Sequence, residues 1–386
     1  MENIIRLKKK KILFDGRFLS LSHAGIGRYS CELFKAICLL DSNIDLVLLT
    51  VAGTALGKDL LKIVAGRKNK VEIIETTASH YSVQEQTSLL GLIKKVGPDL
   101  THFPHFNHPL FFNGKFVVTI HDLTLSQYAE RGSVIKRKIY KNVINHAARA
   151  SQKILTVSNF VKDEIVKEFN LPNEKVVTTY NAIDKRFTRA NESKINSVLI
   201  KYKIQKPYIL SVGQWRSHKN LLRLVDAFAL LKKDSKFNEL KLVFVGREDY
   251  KYPQLPDYIK LLSLQPDVKF TGFVSDNDLP AIYSGAEVFC FPSLSEGFGL
   301  PGLEAQACGT PVVSSDRTCM PEIYAGGAIY FNPENINDIY KKLFLVLSDA
   351  TVAKKIIAIG IENSKRFTWE QTAKNTLEVY REILYK

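Results

Sequence analysis

Short apolar runs alternate with longer amphipathic stretches along the first half of the chain. In the stretch after His23, Ile26, Leu33 and Ile37 repeat at helical spacing and share one face. Alternation of this kind predicts a parallel β-sheet covered by helices. The predicted strands are Ile12–Phe14, Ile44–Leu49, Val71–Ile74, Leu100–Phe103, Phe116–Ile120, Ile154–Val157 and Val176–Thr179.

The second half repeats this order and predicts a second sheet of the same kind. A polar, charged segment from Lys185 to Lys206 separates the halves and is typical of a linker followed by a helix. Apolar runs then predict strands at Ile209–Gly213, Leu242–Gly246 and Val288–Phe291, with further strands beginning at Val268 and Pro311, and a helix at Leu221–Lys233.

The loop after Val288–Phe291 combines glycines with acids. Glu296 precedes Gly297 and Gly299, and Glu304 follows in the first turn of a predicted helix. Glycines let a backbone approach a ligand closely, and a helix start offers free N–H groups to a phosphate. The two carboxylates suit hydroxyl groups of a sugar or a ribose. The pattern fits a nucleotide-sugar site, but a helix cap with a surface acid fits equally well.

The run from Glu296 to Val313 resembles the signature of family 4 retaining glycosyltransferases, in which seven residues separate two glutamates. The resemblance implies an α/β protein of the GT-B fold, with two Rossmann-like domains whose parallel sheets face a central cleft. Residues 1–186 would form the acceptor-side domain, to which a helix at 369–386 returns. Residues 187–368 would form the nucleotide-sugar-binding domain.

The same resemblance implies roles for individual residues. Glu296 would hold hydroxyls of the donor sugar, and Glu304 would hold the ribose. The other donor-binding residues that it implies are Gly25, Gly27, Arg216, Val274, Gly297, Phe298, Gly299 and Leu300.

A second loop, from Gln214 to Asn220, precedes the predicted helix at Leu221. The family has an arginine and a lysine here on the donor diphosphate, and Lys219 matches the lysine. Gln214 stands where the arginine is often found, so Arg216 is expected to replace it. A leaving diphosphate gains negative charge, which fixed cations stabilise. Taken alone, Lys219 could equally be a solvated surface lysine.

The strand Phe116–Ile120 ends in His121 and Asp122. Ligands of open α/β sheets bind at this end of a strand. The pair could be a general base with its orienting partner, or merely a polar strand end. The family carries a His-Asp pair here with the histidine toward the donor sugar. The resemblance therefore makes His121 a third catalytic residue beside Glu296 and Lys219.

Gly25 and Gly27 lie in a predicted loop between the first strand and the first helix. The run Gly-Ile-Gly-Arg-Tyr resembles the family's glycine loop that reaches the donor diphosphate. Without the resemblance, a turn before a helix is the commoner explanation of the glycines.

Three nearby histidines, His102, His105 and His108, could form a metal cluster. Two prolines interrupt the segment, and it contains no carboxylate or cysteine. The family needs no protein-bound metal, so we expect no metal or other cofactor. We expect instead a histidine-bearing loop that lines the cleft.

The bulk composition is that of a globular protein. The 386 residues suffice for two domains, with 45% hydrophobic and 24% charged residues. Five cysteines without metal-ligand spacing predict reduced, buried thiols. The four lysines before Ile12 lead into a strand and not a signal peptide, and no run approaches the roughly 18 apolar residues of a membrane span. We therefore expect a cytoplasmic protein.

The net charge of +15 has three readings: solubility, nucleic acid or an anionic membrane. No helix-turn-helix, zinc or RNA-binding motif favours nucleic acid, so we expect no such partner. A basic amphipathic helix is predicted from Arg131 to Arg149. It could be a solvated face, or it could rest on anionic lipid at the inner face of the cytoplasmic membrane.

The function that the resemblance implies is retaining transfer of a hexose from a nucleoside-diphosphate sugar. We favour GDP-mannose as donor and a glycan or lipid-linked glycan as acceptor, as in lipopolysaccharide or other surface polysaccharide assembly. The alternatives are a UDP-sugar-dependent transferase of the same fold, a nucleotide-sugar epimerase and a basic nucleic-acid-binding protein.

Overall fold

A computed structural model describes residues 9–19, 24–40, 43–67, 69–123, 134–247 and 254–385. The chain divides into two compact units. Unit 1 comprises Met1–Asn181 and Trp369–Lys386, and unit 2 comprises Ala182–Thr368. Unit 2 thus begins slightly before residue 187, the predicted start of the second domain.

Unit 1 contains, in its described residues, a seven-stranded sheet in the order β3-β2-β1-β4-β5-β6-β7. Every neighbouring pair is parallel. All of the strands predicted for this half are confirmed. Their bounds are β1 Lys10–Asp15, β2 Ile44–Val51, β3 Val71–Thr76, β4 Leu100–Phe103, β5 Phe116–Ile120, β6 Lys153–Thr156 and β7 Val176–Thr178.

Helices connect these strands, and several have clear local start and stop signals. The Ser158 side chain accepts a hydrogen bond from the Val161 N–H and so caps one helix, which ends at Asn170 in the left-handed conformation. The helices of this part are α1 Ala24–Leu39, α2 Lys58–Gly66, α3 Ser88–Val96, α4 Val134–Ala150 and α5 Asn159–Phe169.

Unit 2 contains, within its described residues, a six-stranded parallel sheet in the order β10-β9-β8-β11-β12-β13. The strands predicted for the second half are confirmed. Their bounds are β8 Tyr208–Val212, β9 Lys241–Val245, β10 Val268–Gly272, β11 Val288–Phe291 and β12 Val312–Ser315. The sixth strand, β13 Ala328–Phe331, was not predicted.

Apolar faces of the unit 2 helices pack on this sheet. Leu224, Val225 and Phe228, on one helix, join Phe244 and Val313 from the strands in a single buried cluster. The helices are α6 Glu192–Tyr202, α7 Leu221–Leu231, α8 Gln254–Leu261, α9 Leu279–Gly285, α10 Leu300–Ala307, α11 Met320–Tyr324, α12 Ile336–Ser348 and α13 Ala350–Ser364. With both sheets parallel and helix-covered, the predicted fold class is confirmed.

The last helix, α14 (Trp369–Tyr385), belongs to unit 1. Its Tyr380 hydroxyl lies 2.5 Å from Nδ1 of His102, whose Nε2 lies 2.9 Å from the Thr119 hydroxyl. The Thr372 hydroxyl donates to the Tyr180 carbonyl at 2.7 Å. These bonds connect α14 to strand β4 and to the segment after β7.

The three clustered histidines are buried inside unit 1. His105 and His108 lie in the loop after β4, and that this loop lines a cleft stays a prediction. His102 lies within β4 itself. His105 accepts a hydrogen bond from the Asn107 N–H, and His108 contacts the Phe106 carbonyl and His146. Each ring is satisfied by unit 1. Across the described ranges, no group of three or more His, Cys, Asp or Glu side chains could hold a metal.

The cysteines match the expectation from sequence. All five are free thiols, and four of them are buried: Cys38, Cys290, Cys308 and Cys319. Of the helices in the described part of the chain, none combines the length and apolar character that crossing a membrane requires.

Candidate active site

The candidate site lies at one edge of the unit 2 sheet. Strands β8, β11 and β12 are neighbours and run parallel, so the loops that follow them meet at their carboxyl ends. These loops contain Lys219, Glu296 and Thr318, respectively. The strand order, and not proximity in sequence, therefore brings these residues together.

Lys219 and Glu296 form an ion pair, with 2.5 Å between Nζ and Oε1. The two side chains are 17% and 15% exposed, so the pair is partly buried but remains accessible to solvent. Among the described residues, Glu296 Oε2 has no partner of its own. A ligand hydroxyl can therefore donate to this carboxylate while the lysine stays in place.

The loop after β8 is tied to the loop after β11. The His218 carbonyl accepts a hydrogen bond from the Leu294 N–H at 2.7 Å, and the Asn220 side chain donates to the Pro292 carbonyl at 3.0 Å. Burial, together with the charges of Lys219 and Arg216, lowers the pKa of His218 to about 4. His218 is therefore neutral at neutral pH, and Lys219 and Arg216 carry the positive charge of this loop.

The glycine loop between Glu296 and α10 is held by a residue that sequence reasoning missed. The Tyr324 hydroxyl donates to the Gly299 carbonyl at 2.6 Å. Gly299 has a φ of +82°, and a Cβ atom there or at Gly302 would overlap the Tyr324 ring or hydroxyl. Both glycines are thus required by the tyrosine beneath them.

Glu304 lies in the interior of unit 2, which excludes the surface acid that the sequence left open. It is 5% exposed, and its Oε2 accepts a hydrogen bond from the Tyr283 hydroxyl at 2.9 Å. Burial, with the nearby Glu304 charge, raises the pKa of Tyr283 well above its usual value, so the phenol keeps its proton and donates. α10 begins at Leu300, so Glu304 follows the first turn and does not lie in it as predicted.

The other predicted donor-binding residues of unit 2 lie around this site. Gly297 and Phe298 are buried, and the Phe298 ring packs 5.5 Å from that of Phe367. Arg216 Nη2 donates to the Gln214 side chain at 3.0 Å, and within the described residues it forms no ion pair. Val274 is buried after β10, which β9 separates from β8.

A small pocket adjoins Lys219 on the β8 side. Gly213, Trp215, Lys219, Phe291 and Ser293 contribute to its lining. Trp215 Nε1 and Ser293 Oγ are buried and have no hydrogen-bond partner among the described residues. Neither residue carried a signal in the sequence. The pocket thus adds two polar groups beside the ion pair.

His121 lies in unit 1, directly after β5. Its Nε2 is 2.9 Å from the Pro104 carbonyl, so this nitrogen carries the proton and donates it. Burial lowers the pKa of His121 to about 4, which keeps the ring neutral. The edge of the Tyr29 ring packs against it, with 4.6 Å between centroids. The ring is therefore held in one tautomer and one orientation.

Gly25 and Gly27 are in the first turn of α1 and not in a loop, which corrects the prediction. The helix continues toward the N-terminus further than the glycines suggested. Gly25 is exposed with open space around its Cα, whereas Gly27 is buried. Only Gly25 leaves its backbone accessible.

Two parallel-sheet units, with a lysine–glutamate pair and a glycine loop at strand ends, define a glycosyltransferase of the GT-B class. Residues 25–187 match the family model described as Glycosyltransferase Family 4, and residues 199–363 match Glycosyl transferases group 1. The chain belongs to the family 4 glycosyltransferases.

Relatives and solved structures agree with this assignment. O-antigen chain mannosyltransferase B of Escherichia coli is 26% identical over 389 residues, covering 96% of this chain and 99% of the relative. The uncharacterized glycosyltransferase MJ1607 of Methanocaldococcus jannaschii is 30% identical over 293 residues, 73% of each chain. The crystal structure of Anabaena Alr3699/HepE with UDP and glucose has a TM-score of 0.74 at 18% identity. The match covers 97% of this chain and 100% of that one, and it shows the shared fold.

Proposed function

We propose that this glycosyltransferase moves mannose from GDP-mannose, with retention, to a glycan or lipid-linked glycan during surface polysaccharide assembly. Unit 2 would bind the donor, and unit 1 the acceptor. The observation that carries the proposal is the Lys219–Glu296 pair beside the glycine loop. The choice of mannose and of polysaccharide is supported by the Escherichia coli relative, an O-antigen chain mannosyltransferase.

Lys219 would stabilise the leaving diphosphate. Breaking the bond between the sugar C1 and the phosphate oxygen moves negative charge onto that oxygen, and a fixed cation lowers the free energy of this charge. The start of α10 adds backbone N–H groups and the positive end of a helix dipole. Anionic Glu296 keeps Lys219 oriented before the donor binds.

Glu296 would hold hydroxyls of the donor sugar. Its unpartnered Oε2 can accept them, and its charge stabilises positive charge that develops at the sugar ring. In the retaining reaction the acceptor oxygen bonds to C1 on the face that the phosphate leaves. The leaving phosphate oxygen takes the acceptor's proton.

Glu304 would bind the ribose, with Tyr283 fixing its carboxylate through Oε2. His121 would contact the transferred sugar, and its neutral ring would do so through hydrogen bonding without adding charge. Gly25, Arg216, Val274 and residues 297–300 keep the donor-binding roles that the family resemblance implies for them, whereas Gly27 is buried within α1 and does not.

Transfer would need no metal ion, because Lys219 and the helix start supply positive charge at the diphosphate. Turnover should therefore survive removal of divalent cations by EDTA. Loss of turnover that magnesium or manganese restores would contradict this part of the proposal.

The donor can be identified without knowing the acceptor. GDP, UDP, GDP-mannose and UDP-glucose would be compared by thermal shift, because a ligand at about 100 times its Kd stabilises the folded state by about 2.7 kcal/mol. We expect GDP and GDP-mannose to raise the Tm. Stabilisation by UDP and UDP-glucose alone would assign a UDP-sugar donor instead.

NMR can test whether the reaction retains the anomeric configuration of the donor sugar. GDP-mannose hydrolysed with water as acceptor would be followed by NMR in the first minutes, before the free sugar equilibrates its anomers. Retention predicts that mannose appears first in the anomeric form of the donor. The opposite anomer would show inversion. The Glu296→Gln variant, which keeps the side-chain size but removes the charge, should lower the rate by roughly two to three orders of magnitude.

Association of α4 with an anionic membrane is a further part of the proposal. Within the described side chains, Ile139 is 55% exposed and Lys141 pairs with Glu168 at the surface, whereas Val143 and Ile144 face the core. The predicted residues 131–133, and the side chains of 134–137, lie outside the described residues. An exposed isoleucine beside cations suits a lipid surface.

Vesicle co-sedimentation tests this part. Changing Lys136, Arg137, Lys138 and Lys141 to Gln should weaken binding to anionic vesicles, since each cation contributes about 1 kcal/mol at low salt. The matched control changes Lys341, Lys342, Lys354 and Lys355 of unit 2 to Gln and so carries the same net charge. Equal sedimentation of the two variants would mean that α4 is a solvated face.

A further inference from the structure

The backbone of Glu296 is held at both of its polar atoms by one turn. Its N–H donates to the Thr318 hydroxyl at 3.2 Å, and its carbonyl accepts from the Cys319 thiol at 3.2 Å. Thr318 and Cys319 follow β12, the neighbour of β11, and immediately precede α11. The turn therefore holds the Glu296 peptide on one side, while Lys219 holds its carboxylate on the other.

The thiol is suited to this contact. Cys319 is fully buried, and burial, with the charges of Glu296 and Glu322, raises the pKa of its thiol well above the usual value. The sulfur therefore keeps its proton at neutral pH and can donate it to the carbonyl. The hydrogen bond does not depend on the charge of the Glu296 side chain.

Thr318 adopts a backbone conformation that a β-branched residue rarely adopts. Its φ is +54°, in the left-handed region that favours glycine or asparagine. Strained residues of this kind collect at functional sites, where surrounding structure holds them in place. Glycine at this position would relieve the strain but would offer no acceptor to the Glu296 N–H.

We propose that Thr318, with Cys319, is a positioning residue for Glu296: the turn fixes the Glu296 peptide so that its carboxylate faces the donor sugar. This inference rests on the proposed function of Glu296. Thr318 acts through the backbone of Glu296 and does not itself touch the sugar.

The test separates stability from activity with three variants. Thr318→Gly removes the hydroxyl and relieves the strain, Thr318→Val removes the hydroxyl but keeps the branched shape, and Thr318→Ser keeps the hydroxyl. The measurements are Tm, kcat for hydrolysis of GDP-mannose, and the Kd of GDP. GDP lacks the sugar that Glu296 is proposed to hold, so its binding reports only on the rest of the site.

We expect Thr318→Gly to have an equal or higher Tm, an unchanged Kd for GDP, and a kcat lower by about tenfold to a hundredfold, as small misplacements of catalytic groups produce. Thr318→Val should lose kcat similarly, and Thr318→Ser should keep it. In the Glu296→Gln background, Thr318→Gly should cause no further loss, because both changes act on one group. If Thr318→Gly does not fold, Thr318→Val and the double variant built with it give the same comparison.

Two results would overturn the inference. If Thr318→Gly keeps wild-type kcat while Glu296→Gln loses it, the turn does not position Glu296, and the proposed function stands. If Thr318→Gly lowers the Tm and weakens GDP binding in parallel with kcat, Thr318 has only a structural role. Full activity of Glu296→Gln would instead overturn the proposed role of Glu296, and this inference with it.

Discussion

In each unit, the strand that comes first in the chain is followed by a cationic side chain. The two cations differ in burial and in their number of carboxylate partners. β1 and β8 occupy the same place, because both sheets share the strand order 3-2-1-4-5-6, with a seventh strand in unit 1. Arg17 follows β1 and is fully buried between Asp15, at 2.7 Å, and Glu85, at 2.8 Å. Lys219 follows β8, has one carboxylate partner and stays partly exposed.

The electrostatics differ accordingly. Burial alone would raise the pKa of Asp15, but Arg17 outweighs it and holds that pKa below its usual value. Glu85 also accepts from the Asn107 side chain at 2.7 Å, so both carboxylates beside Arg17 already have partners, while Arg17 Nη1 has none among the described residues. At Lys219 a ligand can still approach. The same position in the same fold therefore holds a buried ion cluster in unit 1 and a partly exposed ion pair in unit 2, which is where the donor is proposed to bind.

The two units should differ most in how much of their stability they lose in acid. Burial lowers the pKa of His102 to about 3 and the pKa values of His108 and His121 to about 4, whereas unit 2 has the single histidine His218. Below about pH 6.5 these histidines bind protons in the unfolded state, whereas in the folded state they stay neutral because their pKa values are lowered. Each histidine therefore lowers the free energy of unfolding by about 1.4 kcal/mol per pH unit as pH falls from about 6.5 toward 4.

Hydrogen exchange at several pH values can measure each unit separately. Unit 1 should lose stability about three times as steeply as unit 2, since the slope follows the number of such histidines. Replacing His108 with Gln should reduce the unit 1 slope by one histidine's share. Equal slopes in the two units would contradict the prediction.

Removing the buried cation should be the next largest effect. Arg17→Met leaves two buried carboxylates without their partner, which should cost about 3–5 kcal/mol in the free energy of unfolding. Lys219→Met removes a partly exposed cation and should cost about 0–1 kcal/mol. Denaturant unfolding of the two variants is the measurement. Similar losses would mean that the two cations are equivalent after all.

For turnover, in contrast to stability, we expect the larger effect from changing Lys219. Lys219→Ala should lower turnover by roughly two to three orders of magnitude, because the charge of the leaving diphosphate loses its cation. Lys233→Ala, an exposed lysine of the same unit, is the matched control and should be neutral. Steady-state kinetics with the donor identified by thermal shift gives the answer. Unchanged turnover in Lys219→Ala would remove this lysine from the site.

The smallest effect is expected beneath the glycine loop. Tyr324→Phe removes the hydrogen bond to the Gly299 carbonyl but keeps the ring that fills the space. The free energy of unfolding should fall by about 0.5–1.5 kcal/mol, as for one neutral hydrogen bond. Thermal unfolding can detect this change. A loss larger than that of Arg17→Met would contradict this order. It would show that the hydrogen bond under the glycine loop of unit 2 contributes more to stability than the ion cluster of unit 1.

The sequence was sufficient for every strand except β13 and for the loop of Glu296, because these are local patterns. It missed Thr318, Tyr324 and Tyr283, which reach the site only through the order of the strands and the packing of the helices. It also placed Gly25 in a loop, because glycine is common in turns and nothing local shows that α1 already includes it.

The surroundings of the clustered histidines could not be predicted from the sequence for a related reason. His102 is bonded to Tyr380, 278 positions later in the chain, and no local pattern indicates that contact. The sequence placed all three histidines in one loop, whereas His102 lies within β4 and each histidine has a separate partner in the fold.

The return of α14 to unit 1 also determines the order in which a growing chain can fold. The ribosome synthesises all of unit 2 before Trp369, so unit 2 can complete its core while β4 still lacks Tyr380. Domains generally fold as units during synthesis. The entropic penalty of closing so long a loop grows only slowly with its length, and a unit 2 already folded shortens the flexible part. The half of the molecule that is synthesised first is therefore the half that is finished last.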